Sequence, residues 1–201
     1  GMKDAERAAP MTDDTIFRLY SMTKPVVSVA LMQLFEKGYF QLNDPVHRFI
    51  PSWKNHEVWV SGSGADMVTR PPRSPMTMKH ILSHTGGITY GGDRNEVDKA
   101  YREHGVTRQN GQTLTSFLDS LAKVPLRFDP GSSWNYSYAT DVQGRLIEVL
   151  SEMSFDQYLQ QAIFEMSVAY LYRLGQLEAA LKSALGNAAV QKLACFCLIQ
   201  C

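Results

Sequence analysis

Residues 15–46 read TIFRLYSMTKPVVSVALMQLFEKGYFQLNDPV, and the reading of this stretch decides the fold. Thr15–Tyr20 alternates β-branched and aromatic residues, which predicts a strand or an extended lead-in. Val26, Val29, Ala30, Gln33, Leu34 and Lys37 then recur at helical spacing, with Gly38 as the stop, so a helix is expected from Val26 to Gly38. Pro25 suits the first turn, where a missing N–H costs little. Ser21 and Lys24 stand three apart where this helix opens, which puts them on one face. The positive end of the helix disfavours a charged lysine, and a neutral amine beside a serine hydroxyl can take its proton. The exposed N–H groups of the same turn can hold a developing oxyanion. A serine followed three residues later by lysine is also what an ordinary helix cap looks like, so the pair needs support from elsewhere.

Further along, Asn43-Asp44-Pro45 is turn chemistry. Trp53–Arg73, with Ser61-Gly62-Ser63-Gly64 and Pro71-Pro72, reads as a long surface loop. Ser61 stands where the G-x-S-x-G nucleophile elbow needs glycine, so Ser63 is not such a nucleophile. Thr77 caps a short helix that runs through Ser83 and ends at Gly86-Gly87. Residues 91–112 are polar and weakly patterned. Helices are expected over Thr115–Val124 and Ala139–Leu150, the second with Val142, Leu146, Val149 and Leu150 on one stripe. Ser154 to Gln157 has the form of a capping box for one more. From Met166 leucines recur every three or four residues, as in one long helix.

Three blocks in order carry a resemblance. The first is Ser21-Met22-Thr23-Lys24 with its flanks, the second Met76-Thr77-Met78-Lys79-His80-Ile81-Leu82-Ser83-His84-Thr85-Gly86-Gly87-Ile88, the third Pro130-Gly131-Ser132-Ser133-Trp134-Asn135-Tyr136-Ser137 with Ala139–Arg145 after it. Together they resemble the serine β-lactamase-like, penicillin-binding superfamily, on the branch of class C-like β-lactamases and family VIII carboxylesterases. The resemblance implies a serine hydrolase of carboxylic esters, or of β-lactams, working through an acyl-serine intermediate. It implies Ser21 as nucleophile, and Lys24 with Tyr136 as the groups that move its proton. It calls for no cofactor and no metal. His84-Thr85-Gly86 spells a form of the family's third motif but precedes the tyrosine, so His84 is read as structural. Where the β-lactamases have Tyr-x-Asn this chain has Tyr136-Ser137-Tyr138, which leans the expectation toward esters.

The resemblance implies a mainly α protein, the helical domain of the β-lactamase/transpeptidase-like α+β fold, with little or no residual sheet. It divides the chain into a β-lactamase-like region, 1–165, and an unrelated helical tail, 166–201. A frameshift, a fusion or a truncated gene is the expected origin of that tail, which lacks the strands and third motif of the family. Such a chain is expected to be catalytically impaired, or to survive as a binding module. The apolar face left uncovered would invite self-association.

Composition narrows the classes. Lysine and arginine number 20, as do aspartate and glutamate, which argues against a nucleic-acid or polybasic membrane partner. No apolar run reaches the ~18 residues of a membrane span, and the first residues lack the core of a signal peptide, so a soluble cytoplasmic protein is expected. Cys195, Cys197 and Cys201 cluster at the end, odd in number and far from any histidine, which fits an exposed tail better than a metal site.

Overall fold

The computed structural model describes residues 1–3, 6, 9–12, 15–106 and 111–165. The long helix expected after Met166 and the cysteine cluster lie outside these residues. A 3-10 turn over Tyr20–Met22 opens directly into α1 (Thr23–Glu36), so the lead-in through Leu19 is not a strand. Gly38 takes a φ of +81° and ends the helix, as its lack of a Cβ allows. The buried side chains of α1 are Val27, Ala30, Leu31 and Leu34, while Val29 is exposed. The buried stripe is therefore rotated by about one residue from the expected one. Both stripes satisfy a 3.6-residue period, and only the partner helix chooses between them.

The partner is α5 (Ala139–Ser151), which buries Val142, Gln143, Gly144, Leu146, Ile147 and Leu150. It packs on α1, on α2 (Met78–Leu82), on α4 (Leu114–Leu121) and on α6 (Phe155–Leu159), so it is the axis of the core. Val149, expected on its stripe, is only half-buried, and Ile147 takes the buried place. Gln143 ties three helices. Its Oε1 accepts from Ser28 Oγ at 2.9 Å on α1, and its Nε2 faces the Ile81 carbonyl on α2 at 3.5 Å. A buried amide satisfied on both sides specifies one arrangement of these helices. Ser154 precedes α6 without capping it by its side chain, and its hydroxyl goes to the Asp156 carboxylate. The chain then continues as a π-turn, Gln160–Glu165, whose Ala162 carbonyl takes a bond from Gln33 Nε2 of α1 at 3.1 Å.

Two expectations from the middle of the chain are corrected. The predicted loop Trp53–Arg73 holds a hairpin, β1 (Val58–Ser61) and β2 (Val68–Arg70), antiparallel and bulged between Trp59 and Ser61. The Gly/Ser-rich connection is the turn of that hairpin, and Val58 bridges on to Leu126. The polar stretch after residue 91 holds α3 (Glu96–Glu103), capped by Asn95, whose Oδ1 accepts from the Asp98 N–H at 2.9 Å. Its buried face is only Val97, Ala100 and Tyr101 with Asp98, too narrow to stand out as a periodic pattern. The hairpin is the one sheet among the described residues. No helix among them is long and apolar enough to cross a membrane.

Candidate active site

Three chain segments meet at the N-terminal end of α1. The first carries Ser21 and Lys24. Tyr20, the residue before Ser21, has a φ of +48°, a left-handed conformation that is costly for a bulky side chain. Ser21 is exposed, and as the second residue of the 3-10 turn its N–H is among the donors that have no acceptor within the helix.

The second segment, 84–93, and the third, 126–138, run beside each other. The Arg127 N–H donates to Gly87 O at 2.8 Å, the Gly131 N–H to Thr85 O at 2.8 Å, and the Asn135 N–H to His84 O at 2.9 Å. Gly87 permits the close approach. Its φ is +84°, and a Cβ there would lie 2.4 Å from Phe128 O. The first segment is held by α1, and these two are held by each other.

The structure brings Ser21, Lys24 and Tyr136 together. Tyr136 Oη donates to Ser21 Oγ at 2.7 Å, and Lys24 Nζ donates to the same oxygen at 3.3 Å. The ammonium lies 4.5 Å from the Tyr136 ring centroid and 5.9 Å from that of Tyr90. Burial pulls the Lys24 amine down, but its hydrogen bonds to Tyr136 and Tyr90 and their charge outweigh that, and the net direction is up. The neutral lysine expected from the helix end is not favoured here, because the two phenols outweigh burial. Tyr136 moves the other way. Its hydrogen bonds with Lys24 and then Ser21 hold its phenol below the ordinary tyrosine value, against a smaller effect of burial. Opposite shifts of this kind describe an ammonium beside a phenolate-prone tyrosine.

Two neighbours were not singled out as site residues from the sequence. Tyr90 stands on the second segment, its ring 5.4 Å from that of Tyr136 and 4.6 Å from that of Tyr138. Burial raises its phenol, with a smaller opposing pull from Lys24. Nothing in the polar run around Tyr90 marks it, since only its placement opposite Lys24 gives it a role. His84, read as structural, does structural work: its carbonyl takes the Asn135 N–H, and its Nδ1 lies 3.2 Å from Ser137 Oγ. Its ring also walls the site, 5.1 Å from that of Tyr136. Burial, then the Lys24 charge, keeps it on the neutral side of ordinary histidine. Tyr138 packs edge-on to Phe117 at 4.9 Å and presents no amide here. A groove of about 280 Å³ opens beside Lys24 between Tyr20, Val27, Leu114 and Phe155. The described residues hold no cluster of three or more metal-ligating side chains.

The chain has known relatives. The family model described as Beta-lactamase matches residues 1–184. Acyltransferase calJ of Penicillium decumbens is 29% identical over 160 residues, 79% of this chain and 37% of that protein. Esterase EstB of Burkholderia gladioli is 34% identical over 151 residues, 74% of this chain and 36% of that protein. The solved structure of EstCE1, described as a hydrolase with promiscuous acyltransferase activity, superposes with a TM-score of 0.66 at 30% identity. That match covers 82% of this chain and 41% of EstCE1. The chain thus spans 36–41% of the length of these relatives. By the family match and by the fold it shares with EstCE1, the chain belongs to the β-lactamase family and has the β-lactamase/transpeptidase-like fold.

Proposed function

We propose that this protein is a serine hydrolase of small carboxylic esters that passes through an acyl-Ser21 intermediate, with Lys24 and Tyr136 as its proton-handling groups. One observation carries the reading: Tyr136 Oη lies 2.7 Å from Ser21 Oγ with Lys24 Nζ 3.3 Å from the same oxygen. The Tyr136 phenolate, favoured by the Lys24 ammonium, takes the Ser21 proton as Oγ bonds to the ester carbonyl carbon. The tetrahedral intermediate then collapses, and the departing alkoxide takes that proton from Tyr136 and leaves as alcohol. Water, or a second alcohol, attacks the acyl-serine by the same proton path in reverse. The relatives' names, esterase and acyltransferase, favour both outcomes of this last step. The Ser21 N–H supplies one oxyanion donor; lack of a second typically costs ~10²–10³ in rate. Esters rather than β-lactams are favoured because Tyr138 is packed into the wall at the asparagine position of the β-lactamases.

The finer architecture belongs to the same proposal. Residues 1–165 are taken as a mainly α, helical-domain region with little residual sheet, and residues 166–201 as a separate tail. A second reading, an impaired or purely binding member of the family, is favoured by the open surroundings of Ser21, where Tyr20, Met22 and Trp134 are all exposed. A fluorophosphonate probe decides between the two. Labelling of the wild type at Ser21 with none on Ser21→Ala supports the hydrolase, and hydrolysis of p-nitrophenyl acetate no faster than Ser21→Ala supports the binding module.

A further inference from the structure

We propose that Asn135 is a positioning residue whose single amide fixes the two tyrosines that face Lys24 in one geometry. The inference rests on the hydrolase reading for its consequence, not for its geometry. Asn135 Nδ2 donates to Ile88 O at 3.1 Å and to Tyr136 O at 3.2 Å. Its Oδ1 accepts from Arg127 Nη1 at 3.1 Å. The same guanidinium nitrogen reaches Asp93 Oδ2 at 3.1 Å. One side chain therefore ties the segment bearing Tyr90 to the segment bearing Tyr136, and Arg127 fixes which way its amide points. Ile88 is two residues before Tyr90, and Tyr136 follows Asn135 directly.

The leverage comes from the shape of tyrosine. A phenol oxygen sits at the far end of a rigid side chain, so a small backbone rotation at Ile88 or Tyr136 becomes a larger displacement of Oη. The 2.7 Å contact to Ser21 has the usual length of an O–H···O hydrogen bond, and a displacement of about 1 Å in a reacting geometry can cost ~10²-fold in rate. Asn135 is the side chain that bonds both to the backbone two residues before Tyr90 and to that of Tyr136. The other ties between the segments are backbone bonds at His84, Thr85, Gly87 and Thr89, the His84–Ser137 contact at 3.2 Å and the Arg127–Asp93 pair. Asn135 also has the one chemistry that fits, because its partners are two carbonyls and a guanidinium, which need donors and an acceptor on one planar group.

The test is titration of the Tyr136 phenol by NMR of ring-labelled tyrosine, assigned with Tyr136→Phe, alongside the rate of fluorophosphonate labelling at Ser21. In Asn135→Ala the Tyr136 titration should move up toward that of free tyrosine, and the labelling rate per folded molecule should fall roughly 10- to 100-fold. Arg127→Lys, which keeps the charge and loses the planar fork, should move both in the same direction by less. It serves as the readout if Asn135→Ala does not fold. A lowered melting temperature with the Tyr136 titration and the labelling rate unchanged would overturn the proposal and leave Asn135 a purely structural residue. Because the titration needs no turnover, an unlabelled wild type would sink the hydrolase reading while the titration still judges Asn135.

Discussion

Tyr136 and Ser21 lie 2.7 Å apart, yet the regions that deliver them are built differently. The paired segments 84–93 and 126–138 are crossed by backbone bonds and by the Asn135 amide, and the bidentate pair of Arg70 with Asp129 at 3.0 and 2.6 Å ties the second of them to β2. Residues 15–22 are fixed by little more than the first turn of α1. There Ile16, Phe17, Leu19, Tyr20 and Met22 all lie exposed, Ile16 at 94%. The base is thus held by a bonded framework, and the nucleophile by one end of a helix. Apolar side chains left in water at the rim of a site leave it free to move or to be covered.

The largest expected effect sits at the contact itself. Tyr136→Phe keeps the ring packing against His84 and Tyr90 and removes only the oxygen that meets Ser21. Labelling of Ser21 by fluorophosphonate should slow by about 10²–10⁴, the usual range for a general base. Loss of less than tenfold would pass the proton-accepting role to Lys24 and break the assignment of the base to the framework side.

Stability should divide along the same line. Leu146 on α5 is fully buried, and Leu146→Ala should cost about 2–5 kcal/mol in urea unfolding. A cost below 1 kcal/mol would mean that α5 is not the axis of the core.

Acid should act in two separate windows, one at His56 in the core and one at Asp129 in the framework. His56 is 7% exposed, packs edge-on to Trp53, and has no partner for its Nδ1 among the described residues. Burial, only slightly offset by its bond to the Leu121 backbone, lowers it from 6.5 to about 4. The neutral form is the folded one, so its contribution is complete above pH 6.5 and declines as pH falls toward 4, by about 3 kcal/mol in all. Asp129 acts lower. Its bonds to Arg70 and then the Arg73 N–H hold it at about 2, so what it contributes is present above its ordinary value of 3.8 and is lost as pH falls from there toward 2. Urea midpoints measured from pH 7 to 4 should fall in the wild type and flatten in His56→Gln. A slope that survives the substitution would place the acid sensitivity elsewhere.

The same contrast governs what was legible beforehand. Ser21, Lys24 and Tyr136 stood in motifs with long matching flanks, and the structure brings the three together. The helices α1 and α5 were legible because each is long enough to show its period. The buried face of α1 was misplaced by a residue, since Val26 and Val27 are alike and only packing against α5 separates them. The hairpin was hidden by its own turn, whose Gly62 and Gly64 outweigh two strands of four and three residues. Tyr90 and the neighbourhood of His84 could not be read at all. Their significance is a distance to Lys24 across a fold, and no local pattern encodes it. The direction of the lysine shift was legible only in part: Tyr136 stood in its motif, but its closeness to Lys24 and the second phenol, Tyr90, did not show in the sequence.

The smallest expected effect tests the sparse side. If residues 15–19 pack on little, Ile16→Ser and Phe17→Ser should change the unfolding free energy by no more than about 0.5 kcal/mol, as for ordinary surface substitutions. The labelling rate at Ser21 should then be the more sensitive readout, because the turn that carries the nucleophile starts immediately after them. A loss of 2 kcal/mol or more in either variant would mean that this segment is seated on an apolar surface in solution. In that case the asymmetry between the two sides of the site disappears, and Ser21 is held as firmly as Tyr136.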